Sequence, residues 1–185
     1  VAAVNAAASA CGEARRWPVA LLLLRGMNSR GLSPDTVTYG AALSACERGR
    51  RWSFALSLLT EGQGRQVELN AVACGAAIGA CRAGRAWAQA LRILGGAKDR
   101  RVQLSVTMYN LAIGACEKGL RWVQSLGLLE EARQQGLTPD LVTFSSSASA
   151  CAAGLGWATS LGIIQEMSFM KVLPNLITFG AALTA

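Results

Sequence analysis

The residues with the widest chemical repertoire in this 185-residue chain are its six cysteines. Five of them, Cys11, Cys46, Cys81, Cys116 and Cys151, recur at a constant interval of 35, and Cys74 lies outside that register. Thiolates ligate metals, form disulfides or attack electrophiles. Each use needs a partner at short range, and the sequence supplies none. No pair has Cys-x-x-Cys spacing and there is no histidine, so no metal site is expected. If the cysteines sit on equivalent helices of stacked repeats, they are about 8–10 Å apart, beyond the ~7 Å between Cα atoms that an unstrained disulfide tolerates. Cys74 and Cys81 fall about two turns apart on one helix. Buried, reduced core thiols are therefore expected, in a reducing intracellular compartment.

Acid–base catalysis is equally unsupported. Without histidine the commonest general acid/base is missing, and among the scattered acids only Glu130 and Glu131 are adjacent. There is no phosphate-cradling glycine loop and no nucleophile elbow, so the chain reads as a non-enzyme without a cofactor. Its charge is more telling. Eighteen Lys and Arg against 11 Asp and Glu give +7, which suits a polyanionic partner. Arg15, Arg16, Arg48, Arg50, Arg51, Arg82, Arg85, Lys118 and Arg121 cluster at one point of the 35-residue period. They are either a phosphate-facing stripe or solvated turn residues.

The elements that must position these groups follow from the same period. Trp17, Trp52, Trp87, Trp122 and Trp157 also recur every 35 residues, and a fixed period of this size marks a repeat array. The units run 1–35, 36–70, 71–105, 106–140 and 141–175, with a truncated sixth at 176–185. Each reads as two helices. The first follows a turn such as Leu32-Ser33-Pro34-Asp35, in which proline stops the preceding helix and Asp is a good N-cap. In the second unit, helix one is expected over 36–47 with Val37, Leu43 and Cys46 on its apolar face. Gly49 breaks it. Helix two is expected over 52–60, with Trp52, Ala55, Leu56 and Leu59 at amphipathic spacing. Gly62, Gly64, Gly95 and Gly96 mark the middle stretch as the looser part. Aromatics at this register predict packing between repeats rather than base-stacking platforms. The expected fold is an all-α solenoid, a right-handed superhelix of tandem helical hairpins in one array.

The mean hydropathy of +0.32 does not make this a membrane protein. The aliphatic run at 19–24 is six residues long and ends at Arg25, whereas a spanning helix needs about 20 apolar residues. With no initiator Met and no targeting segment, the chain reads as an internal piece of something longer.

The period and local text resemble the pentatricopeptide repeat family. Val37-Thr38-Tyr39-Gly40, Thr107-Met108-Tyr109-Asn110, Val142-Thr143-Phe144-Ser145 and Ile177-Thr178-Phe179-Gly180 resemble the opening signature of its unit. Gly31-Leu32-Ser33-Pro34-Asp35 and Gly136-Leu137-Thr138-Pro139-Asp140 resemble its close. The nearest competitor, the tetratricopeptide repeat, has a period of about 34 and a different aromatic pattern. The resemblance implies single-stranded RNA as partner, read at one base per repeat by two or three side chains. It implies base-reading roles for the fifth and last residues of each unit: Asn5 with Asp35, Gly40 with Asn70, Gly75 with Ser105, Asn110 with Asp140, and Ser145 with Asn175. The second residues, Val37, Val72, Thr107 and Val142, would pack against bases, as would Ala2 in the weaker first unit. Arg48 and Lys118, at the thirteenth position, would approach phosphate.

The first unit departs from the pattern in having Ala3-Val4, and the second and third in having Leu69 and Leu104 where a closing proline is expected. Gly40 and Gly75 have no side chain to offer, so the second and third units should discriminate poorly. The resemblance further implies a mitochondrial or plastid setting and a role in RNA processing, stability, editing or translation. Two alternatives stay open. One is the RNA-gripping region of a protein-only RNase P whose nuclease domain lies elsewhere, and the other is a protein-binding scaffold.

Overall fold

In a computed structural model, residues 2–13, 16–67, 70–154 and 157–184 are described. Eleven helices span them: α1 (Ala2–Glu13), α2 (Trp17–Ser29), α3 (Thr36–Arg48), α4 (Trp52–Gly64), α5 (Ala71–Ala83), α6 (Trp87–Asp99), α7 (Val106–Lys118), α8 (Trp122–Gln134), α9 (Leu141–Ala153), α10 (Trp157–Phe169) and α11 (Leu176–Thr184). No strand occurs among the described residues, and no helix is long and apolar enough to cross a membrane. The helices group into two compact units, residues 1–103 and 104–185.

Within the first unit α1 packs on α3 and α3 on α5, while each of these pairs with the helix that follows it. The second unit repeats the plan, α7 on α9 and α9 on α11, backed by α8 and α10. Small residues permit the close stacking. Ala42 of α3 is buried with Ala73, Ala76, Ala77 and Ala80 of α5 in one core with Tyr39, Leu43, Cys46, Leu58 and Leu59. Two expectations need correction. Val37 is 62% exposed rather than on the core face, and Leu58, not Leu56, joins Ala55 and Leu59 inside. The middle glycines also fail to loosen the chain. Helix α4 runs through Gly62, which is buried, to Gly64, and α6 runs through Gly95 and Gly96 to Asp99. A helix held along its length by a packed neighbour tolerates the ~1 kcal/mol that each glycine costs.

The hairpin turns use glycine for a reason other than chain reversal. Gly49, Gly84 and Gly154 cap their helices with ordinary right-handed backbone, and at the first two turns the following residue, Arg50 (φ 55°) or Arg85 (φ 58°), takes the left-handed conformation. What the glycines provide is space. A Cβ at Gly49 would overlap the Trp17 indole, one at Gly84 the Trp52 indole, and one at Gly154 the Trp122 indole. Trp17, Trp52 and Trp122 thus lie against the turn of the next hairpin. Trp17 also meets Phe54 at 5.1 Å between ring centroids and carries the Arg51 guanidinium over its face at 4.8 Å. That guanidinium makes a cation–π contact with the indole. Glycine's conformational freedom is used instead in the closing turns, at Gly31 (φ 68°) and Gly136 (φ 73°).

A polar tie recurs in the same register. The Tyr39 hydroxyl donates to Glu61 at 3.3 Å, and Tyr109 to Glu131 at 2.5 Å. Phe144 occupies the corresponding place in the fifth repeat and cannot donate. There Glu166 pairs with Arg133, whose guanidinium lies over the Phe144 ring at 5.8 Å.

The cysteines are free, and all but the half-buried Cys11 are buried. Burial pushes the thiols of Cys46, Cys81 and Cys116 up to about 11. Since the thiolate is the reactive form, iodoacetamide at pH 8 should label Cys11 first in the native protein. Cys46, Cys81 and Cys116 should follow only with denaturant, at least about a hundredfold more slowly beforehand. Peptide mass spectrometry over a time course reads this, and equal native labelling of Cys81 and Cys11 would contradict the packing.

Candidate nucleic-acid interface

Helices α3, α5, α7, α9 and α11 begin at an N-cap side chain, and those caps are the closing residues of the preceding repeat. Asp35 Oδ1 accepts from Thr38 N at 2.8 Å, Asn70 from Ala73 N at 3.0 Å, and Ser105 from Met108 N at 3.4 Å. Asp140 accepts from Thr143 N at 2.9 Å and Asn175 from Thr178 N at 3.0 Å. Free N–H groups at a helix start favour such acceptors. The cap fixes each of these side chains at the edge of the first-helix layer.

Two of the sequence-predicted pairs come together there. Asn5 Nδ2 donates to Asp35 Oδ1 and Oδ2 at 3.2 and 3.5 Å, and Asn110 Nδ2 to Asp140 at 3.0 and 3.2 Å. The members of each pair stand 30 residues apart in sequence. A third side chain, absent from the sequence-based assignment, completes both clusters. Thr38 Oγ1 lies 2.7 Å from Asn5 Oδ1 and 2.8 Å from Asp35 Oδ1. Thr143 Oγ1 lies 2.6 Å from Asn110 Oδ1 and 2.9 Å from Asp140 Oδ1. Both threonines are buried. The signal that could have found them is the capping-box spacing Asp-x-x-Thr at 35–38 and 140–143.

These bonds favour the charged carboxylates. The Thr38 N–H, then the Thr38 hydroxyl and Asn5, hold Asp35 below its ordinary value. At Asp140 burial acts in the raising sense, but the Thr143 N–H and hydroxyl together with Asn110 outweigh it.

The remaining candidates are arranged differently. Val37, Gly40, Arg48, Asn70 and Val72 line one open groove of about 330 Å³, together with Ser44 and residues of α1 and α3. Val37 and Val72 are exposed within it, and Arg48 is exposed on its lining. A Cβ on Gly40 would meet nothing within 4 Å. Gly75 lies half-buried on α5 in the first unit, and Ser105 caps α7 in the second. In the second unit Thr107, Val142 and Ile177 are exposed at the second position, and Lys118 is exposed with its Nζ 3.9 Å from Glu117. Ser145 turns back on its own helix, its hydroxyl donating to Val142 O at 3.2 Å. The side chain of Ala2 lies outside those described. Among the described residues no group of acids and cysteines is placed to hold a metal.

No family model matches the sequence, and no curated protein does either. Solved structures do match. The pentatricopeptide repeat protein PPR10 from maize, in complex with an 18-nucleotide psaJ RNA element, superposes with TM-score 0.75 at 21% identity, covering 98% of this chain and 26% of that one. The PPR domain of Arabidopsis thaliana protein-only RNase P 1, in complex with tRNA, gives TM-score 0.82 at 12% identity, covering 97% of this chain and 94% of that one. Nuclear proteinaceous RNase P 2 from A. thaliana gives 0.84 at 9%, covering 97% and 40%.

This chain has the pentatricopeptide-repeat fold. It spans about a quarter of the length of the maize structures it matches. In pentatricopeptide-repeat terms, the clustered side chains occupy the fifth and last positions of repeats one and four and the third position of the repeats that follow them.

Proposed function

We propose that this chain binds single-stranded RNA, one base per repeat, and contributes no catalysis of its own. The observation that carries the reading is the geometry of the reader positions. Residues 30 apart in sequence meet as Asn5–Asp35 and Asn110–Asp140, and in the second repeat Gly40 and Asn70 share a groove with the exposed Val37 and Val72. An aliphatic wall on either side of a polar floor suits an unpaired base, which can be stacked on its faces and hydrogen-bonded on its edge. Arg48 and Lys118 serve as phosphate contacts beside those slots. The solved structures of like fold that hold an RNA element and a tRNA support the partner class. A mitochondrial or plastid location, with a role in transcript processing, stability or translation, rests on the family resemblance.

A second reading is favoured by one observation: the chain covers 94% of the PPR domain of a protein-only RNase P. Here the same surface would grip a folded precursor while a nuclease elsewhere cleaves it.

Filter binding against a short single-stranded RNA, its duplex and a tRNA precursor separates these. Binding should favour the single strand and weaken with salt. About four neutralised phosphates predict a log–log slope near −3, from about −0.7 for each. Equal affinity for duplex and single strand would defeat base-by-base reading, and preference for the tRNA precursor would favour the second reading. A flat salt response would argue for a protein-binding scaffold.

A further inference from the structure

A side-chain amide carries donors at one end and an acceptor at the other, so Asn5 and Asn110 could in principle face a base in either sense. The residue three places into the next repeat removes that freedom. Thr143 Oγ1 receives the Asp140 N–H at 3.0 Å and has a single proton to give, which it divides between Asn110 Oδ1 at 2.6 Å and Asp140 Oδ1 at 2.9 Å, the amide oxygen being the nearer. The Asp140 carboxylate offers no proton, so only the Nδ2 end of Asn110 can face it, at 3.0 and 3.2 Å. Turning the amide over would set carbonyl oxygen against carboxylate and lose both bonds. The first repeat has the same arrangement. Thr38 Oγ1 receives the Asp35 N–H at 3.2 Å and lies 2.7 Å from Asn5 Oδ1, while Asn5 Nδ2 faces Asp35. Both hydroxyls are buried, so water does not replace them.

We propose that Thr38 and Thr143 are positioning residues that lock the Asn–Asp pairs of repeats one and four into a fixed donor-and-acceptor order, and that this lock selects uridine over cytidine. The proposal rests on the RNA-reading assignment above. With one Nδ2 proton engaged by Asp140 and the amide oxygen engaged by Thr143, Asn110 has one N–H left to present. Asp140 Oδ2 accepts from Asn110 at 3.2 Å, and a carboxylate oxygen has a further lone pair for an incoming N–H. Uracil offers N3–H beside the O4 carbonyl. Cytosine offers bare N3 beside the N4 amino group, the same two places with donor and acceptor exchanged. A reader whose amide cannot turn fits one and opposes the other. Repeats two and three lack the lock, because Ala73 and Met108 stand at the corresponding place, and in repeat five Thr178 is present beside Asn175 but Ser145 has no amide to orient.

The test is competition binding of the 185-residue chain to single-stranded RNAs carrying uridine, two adenosines, a variable fourth base and adenosine. The unaltered chain should prefer uridine over cytidine at base four. Thr143→Val, nearly isosteric but without the hydroxyl, should reduce that ratio about tenfold, the scale of one lost hydrogen bond. The ratio at base five should stay unchanged, and Thr143→Ser should restore the preference at base four. An undiminished ratio in Thr143→Val overturns the lock. Should that variant unfold, a constructive pair decides. Gly40→Asn with Asn70→Asp builds a reader at base two, where Gly40 has open space for a side chain. Adding Ala73→Thr should raise its uridine-to-cytidine ratio about fivefold, and equal ratios with and without that threonine overturn the proposal. An unaltered chain that binds RNA with no preference at base four removes the reading of Asn110 and Asp140 itself, and the lock with it.

Discussion

Gly84→Ala is expected to destabilise the protein by about 2 kcal/mol, although nothing in the local backbone objects to alanine. Gly84 has φ −93° and ψ 5°, a conformation alanine adopts freely, and such a change ordinarily stabilises by about 0.4–1 kcal/mol through the unfolded chain. The cost arises because the new methyl group claims the place of Cδ1, Cγ and Nε1 of Trp52, a ring packed against the core that contains Leu43, Leu59 and Ala77. Trp52→Ala should cost about 3 kcal/mol, the low end of the range for large aromatics because the indole is only partly buried. The informative measurement is the double variant. With the ring gone, alanine at 84 meets no obstacle, so the two effects should fail to add by about 2 kcal/mol in urea denaturation. A neutral Gly84→Ala would show that the indole is not seated on the turn.

The second large effect is a change of base preference. In the family that the sequence resembles, Asn with Asp at the two reader positions corresponds to uridine and a small hydroxyl residue with Asn to adenosine. Asn110→Ser together with Asp140→Asn should therefore move the fourth-base preference from uridine to adenosine. A swing of about tenfold to a hundredfold is expected, the span of one well-made base contact. The fold should survive, because asparagine caps a helix as well as aspartate does, and Asn175 already does so at the start of α11. Selection from a randomised RNA pool reads the result. A pool unchanged at base four would refute Asn110 and Asp140 as readers while leaving the helices untouched.

Much of this was legible in the sequence because it is local or periodic. The period placed the helix starts at 36, 71, 106, 141 and 176, the Pro-Asp turns announced their caps, and constant register predicted buried cysteines. What escaped is carried by pairs that only stacking brings together. Gly49 reads as a helix breaker because that is its usual local meaning, whereas the indole of the previous hairpin is what requires it. Thr38 and Thr143 sit in the first turns of their helices, and only α1 and α7 bring Asn5 and Asn110 beside them. Val37 matched a helical apolar face by spacing, but spacing cannot tell a residue facing the core from one lining a groove.

The seating of these three indoles on the turns that follow them gives the hairpins a grammatical direction, like a sentence in which a clause completes the one before. Trp17 reaches forward to Gly49, Trp52 to Gly84, and Trp122 to Gly154. A chain emerging from the ribosome presents the indole first and the glycine seat afterwards, so each new hairpin arrives at a surface already waiting for it. Splicing in an extra hairpin is therefore best done in whole 35-residue steps, with the cut placed between a closing Asp or Asn and the next helix. A graft that brings no glycine to the turn after a tryptophan leaves an unsheltered ring, and one that brings no tryptophan before a glycine leaves a vacant notch.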